Sequence, residues 1–217
     1  IPPSQKDAAT AIAQAPSRPA VQEYWMIVRN PLFLIIFSGV LLCYLPQIMQ
    51  TTHLTVILLE RGISSEGAAL MLSGFAIGVI AGRFLCGTSL DRFPTHIVAA
   101  VACGLPAIGL AILASGMHTP ILLAMAVALL GFAKGAEISV MPYLVMRFCR
   151  KEIYSSVYGL MNAAIGISST VGALILGLTL KLTDSFIPFM LLCAAVSVGA
   201  GAVSLLLGRP SIRNSVI

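Results

Sequence analysis

The sequence predicts an all-α membrane protein, with six transmembrane helices arranged as two inverted repeats of three. Three observations predict it. Of 217 residues, 58% are hydrophobic and only 10% are charged, with a mean hydropathy of +0.98. A soluble domain is about 45–50% apolar and about 25% charged. Nearly uncharged runs recur at the length of about 20 residues that a helix needs to cross the hydrocarbon core. Those runs also fall into two groups of three with matching internal punctuation. A core of this size cannot hide such an apolar excess, so the natural solvent is lipid. A membrane β-barrel would instead show alternating segments of about ten residues.

The elements follow in order. Residues 1–30 hold Pro2, Pro3, Pro16 and Pro19 among Ala, Ser and Gln. They lack the apolar centre of a signal peptide and read as a flexible cytoplasmic loop or tail. The chain begins at Ile1, which reads as a removed start or a fragment of a longer protein. The single Trp25 fits an interfacial anchor. Asn30-Pro31 is a helix-start signal for the first span. Spans are predicted near 32–58, 68–90, 95–115, 119–146, 154–180 and 185–208, so the membrane domain covers 31–209 and 210–217 is a cytoplasmic tail. The breaks between spans are short, which implies antiparallel neighbours.

Charge sets the orientation. One side carries nine basic residues: Lys6, Arg18, Arg29, Arg92, Arg147, Arg150, Lys151, Arg209 and Arg213. The other carries two, Arg61 and Lys181. Cytoplasmic loops hold the excess of Lys and Arg, so both termini are expected in the cytoplasm. The net charge of +5 is what such loops produce, and no nucleic-acid partner is implied. The five cysteines, Cys43, Cys86, Cys103, Cys149 and Cys193, stand one per segment. That spacing implies neither a metal site nor a redox pair, and no cofactor is expected.

Spans one and four each carry polar residues and an internal proline, Pro46 and Pro142. Spans two and five are glycine-rich, with Gly74, Gly78, Gly82 and Gly87, then Gly159, Gly166, Gly172 and Gly177. Spans three and six are blander. Three is an odd number, so the triplets lie in opposite orientation, as in the inverted repeats within a transporter half. Gly74, Gly78 and Gly82 recur every four residues on one face, where glycine lets backbones approach closely.

The end of span two reads Gly82-Arg83-Phe84-Leu85-Cys86-Gly87-Thr88-Ser89-Leu90-Asp91-Arg92-Phe93-Pro94. This stretch resembles the signature G-x-x-x-D-R-x-G-R-R that follows the second helix of each half in the major facilitator superfamily. Gly87, Asp91, Arg92 and Phe93 fit; Pro94 and Thr95 stand where Gly-Arg is usual. The resemblance implies one half of a major-facilitator fold, helices seven to twelve, with residues 1–30 ending the central loop. It further implies a partner outside this chain, the N-terminal six-helix half of the same protein. By resemblance, Gly87, Asp91 and Arg92 form a gating motif that holds one conformation closed. A plain interfacial ion pair is the alternative.

Ionisable residues inside a membrane are expensive and are functional candidates by default. Arg83 lies eight residues before Asp91, about 12 Å inside the membrane edge by helical rise. Its guanidinium could hold a substrate carboxylate in a two-point contact, or it could snorkel or pair with Glu137. The Arg83, Gly87, Asp91 spacing also resembles monocarboxylate transporters and oxalate/formate antiporters. Lys134 and Glu137 are three apart in span four, so they share a face and can pair. Lys134 could assist anion binding. Glu137 is the proton-coupling candidate, because a carboxyl group taken out of water can load and release a proton. A self-neutralised structural pair is the alternative. Tyr44, Gln47, Thr51 and Thr55 form one polar stripe on span one, which would line an aqueous cavity or bond to a neighbouring helix. His53 points away from Tyr44. Ser155, Asn162 and Ser169 share a face of span five, with Asn162 the ligand candidate.

These features predict a secondary active transporter for a small organic anion such as a carboxylate, coupled to protons or to exchange. The same fold could instead export hydrophobic or cationic drugs, with Glu137 as the cation site, or serve as a dimerising six-helix carrier or channel. An enzyme is not indicated. His53, His96 and His118 lie in separate segments, and no GxSxG or P-loop appears. No Asn-x-Ser/Thr acceptor occurs, which fits a bacterial inner membrane.

Overall fold

The computed structural model describes residues 25, 27–117, 119–149 and 153–208. The expected loop before residue 25, the tail at 210–217, His118, and the basic residues Arg150, Lys151, Arg209 and Arg213 lie outside the described residues. Among the described residues, six helical spans are long and apolar enough to cross a membrane: Pro31–Glu60, Ser65–Arg92, Thr95–Ala114, Pro120–Phe148, Tyr154–Thr183 and Ile187–Gly208. Each overlaps its predicted segment. The second begins earlier than 68 because Ser64 caps it: its side chain accepts from the Gly67 amide at 3.1 Å, and Glu66 sits in the first turn. A carboxylate there suits the positive end of the helix dipole. The first span starts as read. Asn30 accepts from the Leu32 amide at 2.9 Å, and Pro31 opens the helix.

The three-plus-three division governs packing. Span two lies along span four, and its counterpart, span five, lies along span one. Span three packs on four, and six packs on one. Spans three and six meet each other across the centre. Every principal contact thus has a partner related by exchanging the triplets. Spans two and five expose most of their length.

Glycine makes the closest of these seams. A Cβ on Gly82 would strike the carbonyl of Phe132, one on Gly131 the carbonyl of Phe75, and one on Gly135 the carbonyl of Val79. Gly78 meets Ala128 and Phe132 in the same way. Both helices therefore present Gly-x-x-x-Gly, and each fills the gap left by the other. Gly74, expected on this face, borders open space instead. The contact has slid toward Gly82 because Gly131 and Gly135 lie opposite that end.

The first span is not one straight helix. It is α-helical over Pro31–Tyr44, turns at Leu45–Pro46, runs as a π-turn over Met49–His53, and ends as Leu54–Glu60. Pro46 has no N–H and cannot complete the ladder. Span five covers the break. The Ser168 hydroxyl donates to the Leu41 carbonyl, and Gly172 lies against the carbonyl of Leu45. Span three breaks at Leu105, between Thr95–Gly104 and Pro106–Ala114. Pro142, by contrast, sits inside an unbroken helix, Pro120–Phe148.

Polar ties close both ends. Arg61, in the turn after span one, donates to the Leu113 carbonyl at 2.7 Å and caps the end of span three. At the opposite end Arg147 donates to Thr95 Oγ1 at 2.7 Å and to the Tyr143 hydroxyl at 3.3 Å. Tyr143 in turn donates to the Leu90 carbonyl at 3.2 Å.

The glycine seam is testable. Gly135→Ala forces two backbones apart, and overpacking of this kind costs about 1–3 kcal/mol. The expected result is a lower melting temperature and reduced yield of the purified full-length protein. Gly74→Ala, which meets no neighbour within 4 Å, leaves both unchanged.

Candidate functional site

The charges inside the membrane gather where spans one and four face each other. Lys134 and Glu137 are both buried, at 9% and 4% exposure. The helix places them three residues apart on one face, and Lys134 Nζ lies 3.4 Å from Glu137 Oε2. Lys134 also donates to Gln47 Oε1 at 3.5 Å. Its ammonium sits 4.1 Å from the centre of the Tyr44 ring, within cation–π range. The break at Pro46 puts Gln47 beside Lys134, so two members of the span-one stripe join the site.

The rest of that stripe does not. Thr51, inside the π-turn, and Thr55, just after it, are exposed, and Thr51 bonds back to the Gln47 carbonyl at 2.9 Å. A π-turn has more residues per turn than an α-helix, so it rotates the following residues off the original face. His53 lies tilted against Phe186, with ring centres 5.7 Å apart.

Arg83 is exposed on span two. Its backbone nitrogen lies 3.0 Å from where a Cβ of Gly135 would stand. The guanidinium therefore springs from the same height as the Lys134–Glu137 pair. Glu137 is paired with Lys134, and Arg83 makes no ion pair or hydrogen bond among the described residues. Asn162 is also exposed, and its Nδ2 donates to the Tyr158 carbonyl at 2.9 Å. The five cysteines are buried and free.

Gly87 borders open space, and Asp91 and Arg92 are exposed without a hydrogen bond or ion pair among the described residues. The contacts in this region come from residues beside Gly87, Asp91 and Arg92 rather than from those three. They are the Leu90 carbonyl and the Thr95 hydroxyl, held by Tyr143 and Arg147. The sequence carries a signal for them: Tyr143 and Arg147 are four apart at the end of span four, and Thr95 stands at the variant position of the motif.

Comparison with known proteins follows the same lines. The chain is 30% identical over 148 residues to the 4-hydroxybenzoate transporter PcaK of Acinetobacter baylyi. That alignment takes in 65% of this chain and 31% of the relative, so the chain spans about a third of that transporter's length. Residues 12–216 match the family model of the Major Facilitator Superfamily. With six apolar spans, paired inverted triplets and a match over nearly its whole length, the chain belongs to the major facilitator superfamily of membrane transporters.

Proposed function

We propose that this chain supplies one half of a secondary active transporter that moves a small organic carboxylate by alternating access, coupled to protons. The observation that carries the reading is the buried ammonium of Lys134, held by one carboxylate, one amide and one aromatic face. Arg83 stands at the same height with its charge uncommitted. The relative's named cargo, an aromatic carboxylate, fits two cations. The unpacked faces of spans two and five fit a second six-helix half. Orientation follows from nine basic residues against two, with both ends cytoplasmic. The bacterial relative favours a bacterial inner membrane.

The chemistry follows from sharing one ammonium. While Glu137 is ionised it neutralises Lys134. When Glu137 takes a proton, its hold on Lys134 weakens and an incoming carboxylate takes its place. Arg83 supplies the bidentate contact, Gln47 and Tyr44 orient the group, and Asn162 adds a neutral donor. When the anion leaves, Lys134 returns to Glu137 and expels the proton. Asp91 and Arg92, beside Gly87, mark the end of span two that meets the other half as the pathway closes.

Export of lipophilic cations, with Glu137 as the cation site, meets an obstacle: Lys134 already occupies that carboxylate. Competition separates the two readings. Uptake of 4-hydroxybenzoate by the full-length protein is expected to be displaced by other carboxylates and not by tetraphenylphosphonium. The opposite pattern sinks the anion reading.

Losing one charge-assisted contact of about 1.5–3 kcal/mol predicts a fall of about ten- to a hundredfold in apparent affinity for Arg83→Gln. Native affinity in that variant would remove Arg83 from the site. Lys134→Met leaves Glu137 buried and unpaired, which costs about 3–5 kcal/mol. Melting temperature is expected to drop in Lys134→Met and to recover in the double variant with Glu137→Gln.

A further inference from the structure

Glu137 has two oxygens in two different surroundings. Oε2 faces Lys134. Oε1 is fully buried and has no hydrogen-bond partner among the described residues. Glu137 borders a cavity of about 30 Å³, lined also by Gly39, Cys43, Cys103, Leu144 and Ser204 among others. Of the residues proposed around the carboxylate, Tyr44 borders it, and Lys134, Gln47, Arg83 and Asn162 do not. The cavity lies between spans one, three, four and six, inside this half. From Glu137 to Leu144 is seven residues of helix, about 10 Å by helical rise. Leu144, Ser204 and Leu207 on its wall all belong to the last turns at the end of the bundle that holds Asn30 and Gly208.

We infer that protons leave Glu137 through this cavity, by a route separate from that of the carboxylate substrate. This rests on the coupled-transport reading above. The space admits one or two waters. A water there has Glu137 Oε1 as a strong acceptor, with the Cys43 and Cys103 thiols and the Tyr44 hydroxyl around it. These thiols, the Tyr44 phenol and Lys134 are the titratable groups facing Glu137; span six contributes only the Ser204 hydroxyl, which donates to the Ala200 carbonyl at 2.9 Å. Protonated Glu137 gives its proton from Oε1 along the water to the Asn30/Gly208 end, where it leaves as hydronium. The neutral acid becomes a carboxylate again, and its charge on Oε2 holds Lys134 as before.

Gly39 supports the route. It is buried in the middle of a helix, where glycine is less stable than alanine. An added Cβ meets nothing within 4 Å, so packing does not require glycine there. What its missing side chain leaves is the cavity itself.

The experiment uses the full-length protein in proteoliposomes, with radiolabelled 4-hydroxybenzoate as the probe. In Gly39→Val, exchange of the acid without a pH gradient is expected within about twofold of native. Uptake driven by a proton gradient is expected to fall at least tenfold, with Gly39→Ala in between. A second readout needs no transport. The infrared carbonyl band of protonated Glu137, identified by its loss in Glu137→Gln, should exchange with deuterium more slowly in Gly39→Val. Native proton-driven uptake with native deuterium exchange in Gly39→Val overturns the route and leaves the anion reading standing. Equal loss of exchange and driven uptake overturns the separation of the two routes. If the native protein neither exchanges nor accumulates the acid, the anion reading fails, and the infrared band still decides whether the cavity conducts protons.

Discussion

Spans two and four touch backbone to backbone, and the position of every charge in the membrane depends on that contact. Lipid gives helices no hydrophobic reason to associate, so close packing of small residues does the work. Gly78 and Gly82 on one helix and Gly131 and Gly135 on the other let each chain's carbonyls occupy the space where the partner's side chains would be. Such a seam fixes register. Gly135 sits against Val79 and Arg83, and Gly135 lies between Lys134 and Glu137 in the chain. Three charges from two helices are thereby held at one height. A side chain at either glycine would separate the helices and shift that alignment.

The symmetry-related seam, between spans five and one, solves a different problem. Pro46 interrupts span one at membrane depth, where an unsatisfied backbone group is costly. Ser168 and Gly172 bring a hydroxyl and a bare backbone to the break, at Leu41 and Leu45. With the break covered, the turn at Leu45–Pro46 can persist and deliver Gln47 to Lys134. One pseudo-symmetric contact thus sets the height of the charges, and its counterpart brings the polar group that meets them.

Much of this was legible in the sequence, for physical reasons that also mark where legibility ended. Span positions follow from hydropathy because the membrane imposes a length. The triplets followed from where glycine and proline recur, and the Lys134–Glu137 pair followed from helical spacing alone. Partners across helices did not. A face of glycines announces a close neighbour without naming it, and only the fold shows that Gly82 meets Phe132 while Gly74 meets nothing. The polar stripe on span one assumed a uniform helix, so the π-turn at Met49–His53 moved Thr51 and Thr55 off the expected face. The ties through Tyr143 and Arg147 were hidden because one acceptor is a backbone carbonyl, which no residue type signals. The cavity beside Glu137 was hidden for a similar reason. It is made by the absence of a side chain at Gly39, and absence has no periodicity.

Rigid seams also constrain how a carrier of this build can work. Helices two and four cannot slide past each other while carbonyls fill the glycine gaps, and span one is pinned at its break by span five. The surroundings of Lys134 and Glu137 are therefore not easily changed by rearrangement within this half. What can change there is chemical: a proton added to Glu137, or an anion brought to Lys134. A buried ion pair that loses one partner's charge is strongly disfavoured unless another charge replaces it. On the proposed reading, that penalty is the coupling. Protonation without substrate leaves Lys134 uncompensated, and substrate without protonation places two anions around one ammonium. Arg83 is exposed; at the buried Lys134 itself, only the doubly loaded and doubly empty states are neutralised. A rigid half that tolerates just those two states can rock against its partner when full or when empty, and loses that freedom in between.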